Sequence, residues 1–271
     1  MKKVRRLVWV AFVALALSYV AVGAVAFGVQ RRLLYLPPEA AYVPPRPFQV
    51  VRVASDDGEV VAFHRPASPG QPTLVYFHGN ADQAGYVAHL PERATDGLGL
   101  YGVEFPGYGL AQTAGAPTQA RIMAAAEVAL SHLETTLGVP KARTVLLGQS
   151  LGSGVAVEMA ARGKAAAMAL VTPYTSIADV ASAAFPFLPI RFLVLDRFDS
   201  EARAGDVKCP TLIVHGTDDD VVPFVLGERL SKVLAGSEFV SIPGGRHNDL
   251  WDRPEAVAAV RAFLGRVAAQ P

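Results

Sequence analysis

The sequence predicts an α/β fold: a mostly parallel central sheet with helices on both faces, entered through an N-terminal hairpin. Three observations carry that expectation. From Thr73 onward, short apolar runs alternate with helical patterns, the texture of β-α units. Before them, two segments with period-two alternation flank a turn signal. And Gly148-Gln149-Ser150-Leu151-Gly152 sits between an apolar run and a helix-forming stretch, where a G-x-S-x-G marks a sharp strand-to-helix turn.

Taken in order, the elements begin with Leu7 to Val29, which contains no charged residue. As a helix it would run about 35 Å, enough to cross a hydrocarbon core of about 30 Å. Lys2, Lys3, Arg5 and Arg6 precede it, and Arg31 and Arg32 follow. That bias favours a cytoplasmic N-terminus and an exported remainder. Residues 1–32 are therefore expected to be a single-pass membrane anchor. The competing reading is a cleaved signal peptide, for which Ala24-Val25-Ala26 offers a small-residue site, although the apolar run exceeds the usual core of about 7–15 residues. Residues 33–47 hold five prolines and read as an extended connector.

Residues 48–271 are expected to form one domain. Phe48–Val53 and Glu59–His64 around Asp56-Asp57-Gly58 predict an antiparallel hairpin. Buried strands are expected at Thr73–Phe77, Leu98–Glu104, Thr144–Leu147, Ala166–Val171, Thr211–Val214 and Glu238–Ile242. Helices are expected at Ala84–Asp96, Thr118–Leu137, Ser150–Arg162, Phe224–Leu234 and Pro254–Val267. Between Val171 and Thr211, the stretch Tyr174–Leu195 carries Phe185, Phe187, Leu188, Ile190, Phe192 and Leu193. It is too short for a separate domain, so a minimal lid of one or two small helices is expected. Its apolar content would line an acyl-chain pocket, touch a membrane surface, or simply cover the sheet.

Composition narrows the chemistry. Lys and Arg total 25 against 24 Asp and Glu, a net charge of +1, so no strong field favours nucleic acid. Cys209 is the single cysteine, which excludes an intramolecular disulfide or a cysteine-based metal cluster. It reads as a small apolar residue beside a strand.

Ligands in such sheets bind beyond the carboxyl ends of the strands. Four expected strands end in polar or glycine-rich clusters: His78-Gly79-Asn80, Gly148–Gly152, Gly216–Asp220 and Gly244–Asn248. In the second, Ser150 is a candidate nucleophile. A serine hydroxyl needs a base to take its proton, and imidazole, with an ordinary pKa near ~6.5, serves at neutral pH. His247 is the only histidine beyond the last expected strand. An acid must hold that imidazole's tautomer, and Asp218, Asp219 and Asp220 are three consecutive candidates. A divalent cation on that triplet is a poor alternative, because three adjacent side chains on one turn do not all point at one ion. The order Ser…Asp…His suits an elbow-type hydrolase. A developing oxyanion needs preorganised N–H donors. Leu151, opening the helix after the serine, supplies one, and the His78–Ala81 loop supplies the second at Asn80. His78 and His215 read as structural, and Trp251 as packing for the His247 loop.

From about Leu33 to Val267 the chain resembles the α/β-hydrolase superfamily, more narrowly an N-terminally anchored branch that includes lipid esterases and protein depalmitoylases. The resemblance rests on Arg32–Pro37 after the anchor, Phe77-His78-Gly79-Asn80-Ala81, Pro106-Gly107-Tyr108-Gly109, Gly148–Gly152, His215–Pro223 and Gly245–Asn248. In that family the spacing H-G-x-x-D-x-x-V-P implies that the acid is Asp219. Glu104-Phe105-Pro106 and Leu110-Ala111 depart from the family pattern near the expected pocket. Arg246 replaces a usual glycine and reads as a solvent-facing side chain or as an attractor of an anionic head group. The resemblance implies a serine hydrolase acting on ester or thioester bonds of lipid or acyl substrates through an acyl-enzyme, with no metal or organic cofactor. Two other readings stand beside it: an exopeptidase on the same fold, and a catalytically idle binding or scaffold protein.

Overall fold

The computed structural model describes residues 2–56 and 58–269. Asp57, in the expected hairpin turn, lies outside the described residues, as do Met1 and the last two residues of the 48–271 segment. Eight strands form one sheet: β1 (Gln49–Ser55), β2 (Gly58–Arg65), β3 (Thr73–Phe77), β4 (Gly99–Val103), β5 (Thr144–Gln149), β6 (Ala167–Val171), β7 (Thr211–Gly216) and β8 (Glu238–Ile242). Their spatial order is β1-β2-β4-β3-β5-β6-β7-β8. The hairpin β1–β2 and the β2–β4 pair are antiparallel, and every other pairing is parallel.

Period-two alternation sorts the strand side chains onto two cores. Val75, Phe77, Leu146, Met168, Leu170 and Ile213 face one layer. That layer holds helices α2 (Gln119–Thr135), α3 (Leu151–Ala161) and α5 (Phe224–Val233). Leu74, Tyr76, Val145, Leu147, Ala169, Val171, Leu212 and Val214 face the other, against helix α6 (Pro254–Ala268). Strand residues buried on both faces explain the near-continuous apolar runs. The short helix α4 (Ile177–Ala184) and a single turn at Ile190–Leu193 lie in the insertion after β6. The long helix α1 covers Lys2–Leu34.

Two expectations differ in detail. Instead of one helix over Ala84–Asp96, the chain forms a 3-10 segment at Ala84–His89 and a single turn at Glu92–Thr95. Pro91 intervenes, and proline both lacks an N–H and disfavours helix in the residue before it. Strand β8 is only half covered, because it is the open edge of the sheet.

Helix α1 is long and apolar enough to cross a membrane, with mean hydropathy 2.4 over its most apolar window, and none of that window is buried. Its last turns lie against the insertion. Arg31 pairs with Asp196 at 2.8 Å, Gln30 bonds the Leu193 carbonyl and the Leu195 N–H, and the Tyr19 hydroxyl donates to the Phe187 carbonyl at 2.9 Å.

Candidate active site

The site assembles where β3, β5, β7 and β8 end. Strand β5 stops at Gln149, and Ser150 adopts φ +48°, ψ −117° before α3 begins. A residue with a Cβ rarely takes that conformation, and holding it costs free energy that the surroundings must supply. They do so by close packing. A Cβ on Gly148 would stand 2.6 Å from the Gly152 carbonyl oxygen, and one on Gly152 would stand 2.0 Å from the Phe77 carbonyl oxygen. Only glycine at both positions lets the strand, the turn and the helix approach this closely. The Ser150 N–H donates to the Val171 carbonyl at 2.9 Å, and the Ser153 hydroxyl donates to the Ser150 carbonyl at 2.6 Å. The serine is half-buried.

The loop after β8 brings the buried His247 to the same place: its Nε2 is 3.0 Å from Ser150 Oγ. On the far side of the ring, Nδ1 is 2.8 and 3.0 Å from the two carboxylate oxygens of Asp219. With a proton on Nδ1 donated to that carboxylate, Nε2 is left to accept from the serine hydroxyl. Asp219 follows β7, and its side chain has no solvent exposure. Its Oδ1 accepts the N–H groups of Val221 and Val222 at 2.9 and 2.8 Å. Its Oδ2 is 3.2 Å from His215 Nε2. Burial by itself would raise the Asp219 pKa. The hydrogen bonds from His215 and His247, the charge of His247 and the Val221 N–H outweigh that and hold the carboxyl well below the usual range.

Of the three adjacent acids, Asp219 is the one that meets the imidazole. Asp218 accepts from the Thr217 hydroxyl at 3.0 Å. Asp220 pairs with Arg246 at 2.7 Å, both side chains more than half exposed, so Arg246 faces solvent.

The loop after β3 passes beside the serine: a Cβ on Gly79 would lie 3.6 Å from Ser150 Cβ. Among the described residues, neither the Asn80 nor the Leu151 N–H is taken up by a backbone carbonyl in a turn, loop or cap. Both polar atoms of the Asn80 side chain have partners away from the serine. Its Oδ1 accepts from the Leu36 N–H at 2.9 Å and the Tyr108 hydroxyl at 2.8 Å, and its Nδ2 donates to the Leu34 carbonyl at 2.5 Å. These bonds direct the side chain to the N-terminal segment and Tyr108, and the backbone N–H is the candidate oxyanion donor of this residue. His78 is buried and bonded within the same loop, with Nδ1 2.8 Å from the Gly79 carbonyl and Nε2 accepting the Phe105 N–H at 3.2 Å.

Several supporting contacts escape sequence reasoning. His215 is the second partner of Asp219, and its only local signal is a spacing of four residues. Trp251 does more than pack its loop, because its indole N–H donates to Gln149 Oε1 at 2.7 Å and ties that loop to the elbow. The Tyr174 hydroxyl donates to the Leu151 carbonyl at 3.0 Å, and Tyr108 holds Asn80. Among the described residues, no group of three or more His, Cys, Asp or Glu side chains is arranged to hold a metal ion. A cleft of about 350 Å³ lined by His64, Thr73 and Arg143 lies at the amino ends of β3 and β5, away from the serine.

No protein-family model matches the chain. Over 99% of its length the chain is 36% identical to an uncharacterized protein of Mycobacterium tuberculosis, covering 98% of that protein. It is 32% identical to alpha/beta hydrolase domain-containing protein aho-3 of Caenorhabditis elegans, over 74% of this chain and 59% of that one. It is 30% identical to alpha/beta hydrolase domain-containing protein 17C of Mus musculus, over 79% and 66%. Among solved structures, Est1E of Butyrivibrio proteoclasticus superimposes with a TM-score of 0.69 at 18% identity, over 81% of this chain and 100% of that one. An esterase of Pyrococcus furiosus also gives 0.69, at 15% identity over 86% and 98%. The chain belongs to the α/β-hydrolase superfamily, and the chemistry that its family and fold support is hydrolysis.

Proposed function

We propose that this protein is a membrane-tethered serine hydrolase that cleaves carboxylic ester or thioester bonds of acyl substrates. The observation that carries the reading is the unbroken hydroxyl–imidazole–carboxylate chain, with Ser150 Oγ 3.0 Å from His247 Nε2 and Asp219 2.8 Å from the opposite ring nitrogen. In this reading His247 takes the Ser150 proton as Oγ attacks the carbonyl carbon. The negative charge that forms on the carbonyl oxygen is received by the N–H groups of Leu151 and Asn80. His247 then gives its proton to the departing alcohol or thiol, leaving an acyl group on Ser150. A water molecule, deprotonated by the same imidazole, releases the acid and restores the serine. Asp219 keeps the ring oriented and stabilises its charged form. Helix α1, with its flanking basic residues, supports a single-pass anchor with the N-terminus in the cytoplasm and the domain exported.

Covalent labelling by a fluorophosphonate tests the chemistry. Ser150 should be the modified residue, and Ser150→Ala should lose labelling and about 10⁶ of turnover, as for other triads. Folded protein that stays unlabelled would leave the scaffold reading in place. Cleavage of aminoacyl anilides in preference to p-nitrophenyl acyl esters would favour the exopeptidase.

A further inference from the structure

The insertion after β6 is joined to α1 at three levels. Asp196 meets Arg31, the Leu193 carbonyl and the Leu195 N–H meet Gln30, and the Phe187 carbonyl meets Tyr19. The segment therefore runs alongside the helix, from its basic end back toward its middle. At 1.5 Å rise per residue, Tyr19 lies about 15 Å inside the uncharged stretch that ends at Val29. That is about half of a hydrocarbon core of about 30 Å.

Resting on the anchor reading above, we infer that residues 185–195 enter the bilayer leaflet that surrounds the C-terminal half of α1, with Phe187 near mid-membrane depth and Leu195 near the head groups. Three properties of the segment support this. Phe187 and Phe192 are 89% and 90% exposed, which in water is an unfavourable placement for two aromatic rings and in lipid is not. Between Val180 and Leu195 the only charged residue is Arg191. Its carbonyl accepts from Arg197 at 2.7 Å, and its guanidinium lies 3.8 Å from the Asp179 carboxylate, so the one charge of the segment has an opposite charge beside it. Finally, non-helical backbone inside a membrane must have its polar groups satisfied. Pro186 and Pro189 carry no N–H. Leu188, Phe192 and Val194 donate to Phe185, Pro189 and Ile190 carbonyls within the segment. Tyr19 and Gln30, polar residues within an otherwise largely apolar helix, supply partners for the Phe187 and Leu193 carbonyls and for the Leu195 N–H.

This placement also bears on the substrate. The Leu34 carbonyl, at the end of α1, is bonded to Asn80 in the loop beside Ser150. A scissile carbonyl at the serine would sit at head-group depth, with its acyl chain extending into the leaflet beside the insertion. The substrate class is an ester or thioester whose acyl chain resides in the bilayer.

Depth-dependent quenching tests this with the full chain in vesicles of phosphatidylcholine and phosphatidylglycerol. In a Cys209→Ser background, single cysteines at Phe187, Phe192, Leu195 and, as an exposed control, Glu134 are labelled with a nitrobenzoxadiazole dye. Phe187 should be quenched best by lipids brominated at mid-chain, Leu195 by lipids brominated near the carbonyl, and Glu134 only by aqueous iodide. Phe192 gives a second reporter should the Phe187→Cys protein fail to fold. If the protein floats with the vesicles while labels at 187 and 192 respond to iodide as Glu134 does, or show no depth difference from 195, the inference is overturned and the anchor stands. Protein that does not float with the vesicles overturns both.

Discussion

The conformation of Ser150 leads to a reversal of the ordinary stability order of alanine and glycine. Ser150→Ala and Ser150→Gly both delete the hydroxyl, so the lost contact with His247 cancels between them. They differ in the backbone. At φ +48°, ψ −117°, a residue with a Cβ is strained by about 1–3 kcal/mol, a cost glycine escapes. Against that, glycine leaves the unfolded chain freer and loses about 0.5–1 kcal/mol relative to alanine. The balance favours Ser150→Gly by about 1 kcal/mol. For a domain of about 150–250 residues this raises Tm by about 2–4 °C. Calorimetry of the two variants of the full chain in the same detergent, with both also checked for absent fluorophosphonate labelling, measures the difference. An alanine variant as stable as the glycine variant, or more so, would refute the argument, because it would mean that the strain at the turn is no larger than glycine's own cost of about 0.5–1 kcal/mol.

The surrounding contacts yield further expectations. Asp219→Asn should keep the fold but lower kcat by about 10⁴, because the amide cannot enforce the same imidazole tautomer. The Asp219 carboxyl is depressed in the folded protein. The stabilisation it gives is thus fully present above the unfolded carboxyl pKa of about 3.9 and is lost as pH falls through the lower folded value. A Tm-against-pH series should show a steeper acid fall for the native chain than for Asp219→Asn. Gly152→Ala should be destabilised by at least about 1–3 kcal/mol in denaturant titrations, since its Cβ meets backbone and not a movable side chain. His215→Phe keeps a ring but leaves Asp219 without its second imidazole partner, and unfolding in urea should show a loss of about 1.5–3 kcal/mol.

How much of this was legible in the chain depends on whether a local rule or a distant contact made the selection. The β-α alternation and the elbow follow from local stereochemistry. The apolar period assigns the strands, and the clash distances at Gly148 and Gly152 show why those positions admit no side chain. The identity of the acid is different. Asp218, Asp219 and Asp220 have the same chemistry and adjacent positions, so residue pattern alone leaves three candidates, and it is family spacing that points to Asp219. What distinguishes Asp219 in three dimensions is the wrap of the Val221 and Val222 N–H groups around one oxygen and the approach of His215 to the other. The bonds from Tyr108, Leu34 and Leu36 to Asn80 were likewise illegible, because they join residues 28 to 46 positions apart.

Those last bonds tie the N-terminal segment to the loop beside Ser150. Proline-rich connectors are semi-rigid spacers, and here the chain is also pinned at both ends of its exit from α1. Arg31 holds Asp196 in the insertion, and the backbone at Leu34 and Leu36 holds both polar atoms of the Asn80 side chain. Asn80 has little freedom left once those bonds and the Tyr108 hydroxyl are in place. The position of the loop beside Ser150 is then set partly by where α1 ends. A domain expressed without α1 and residues 33–36 would lose two of the three bonds on Asn80, and the loop beside the serine would have to find its position from the protein core and Tyr108 alone.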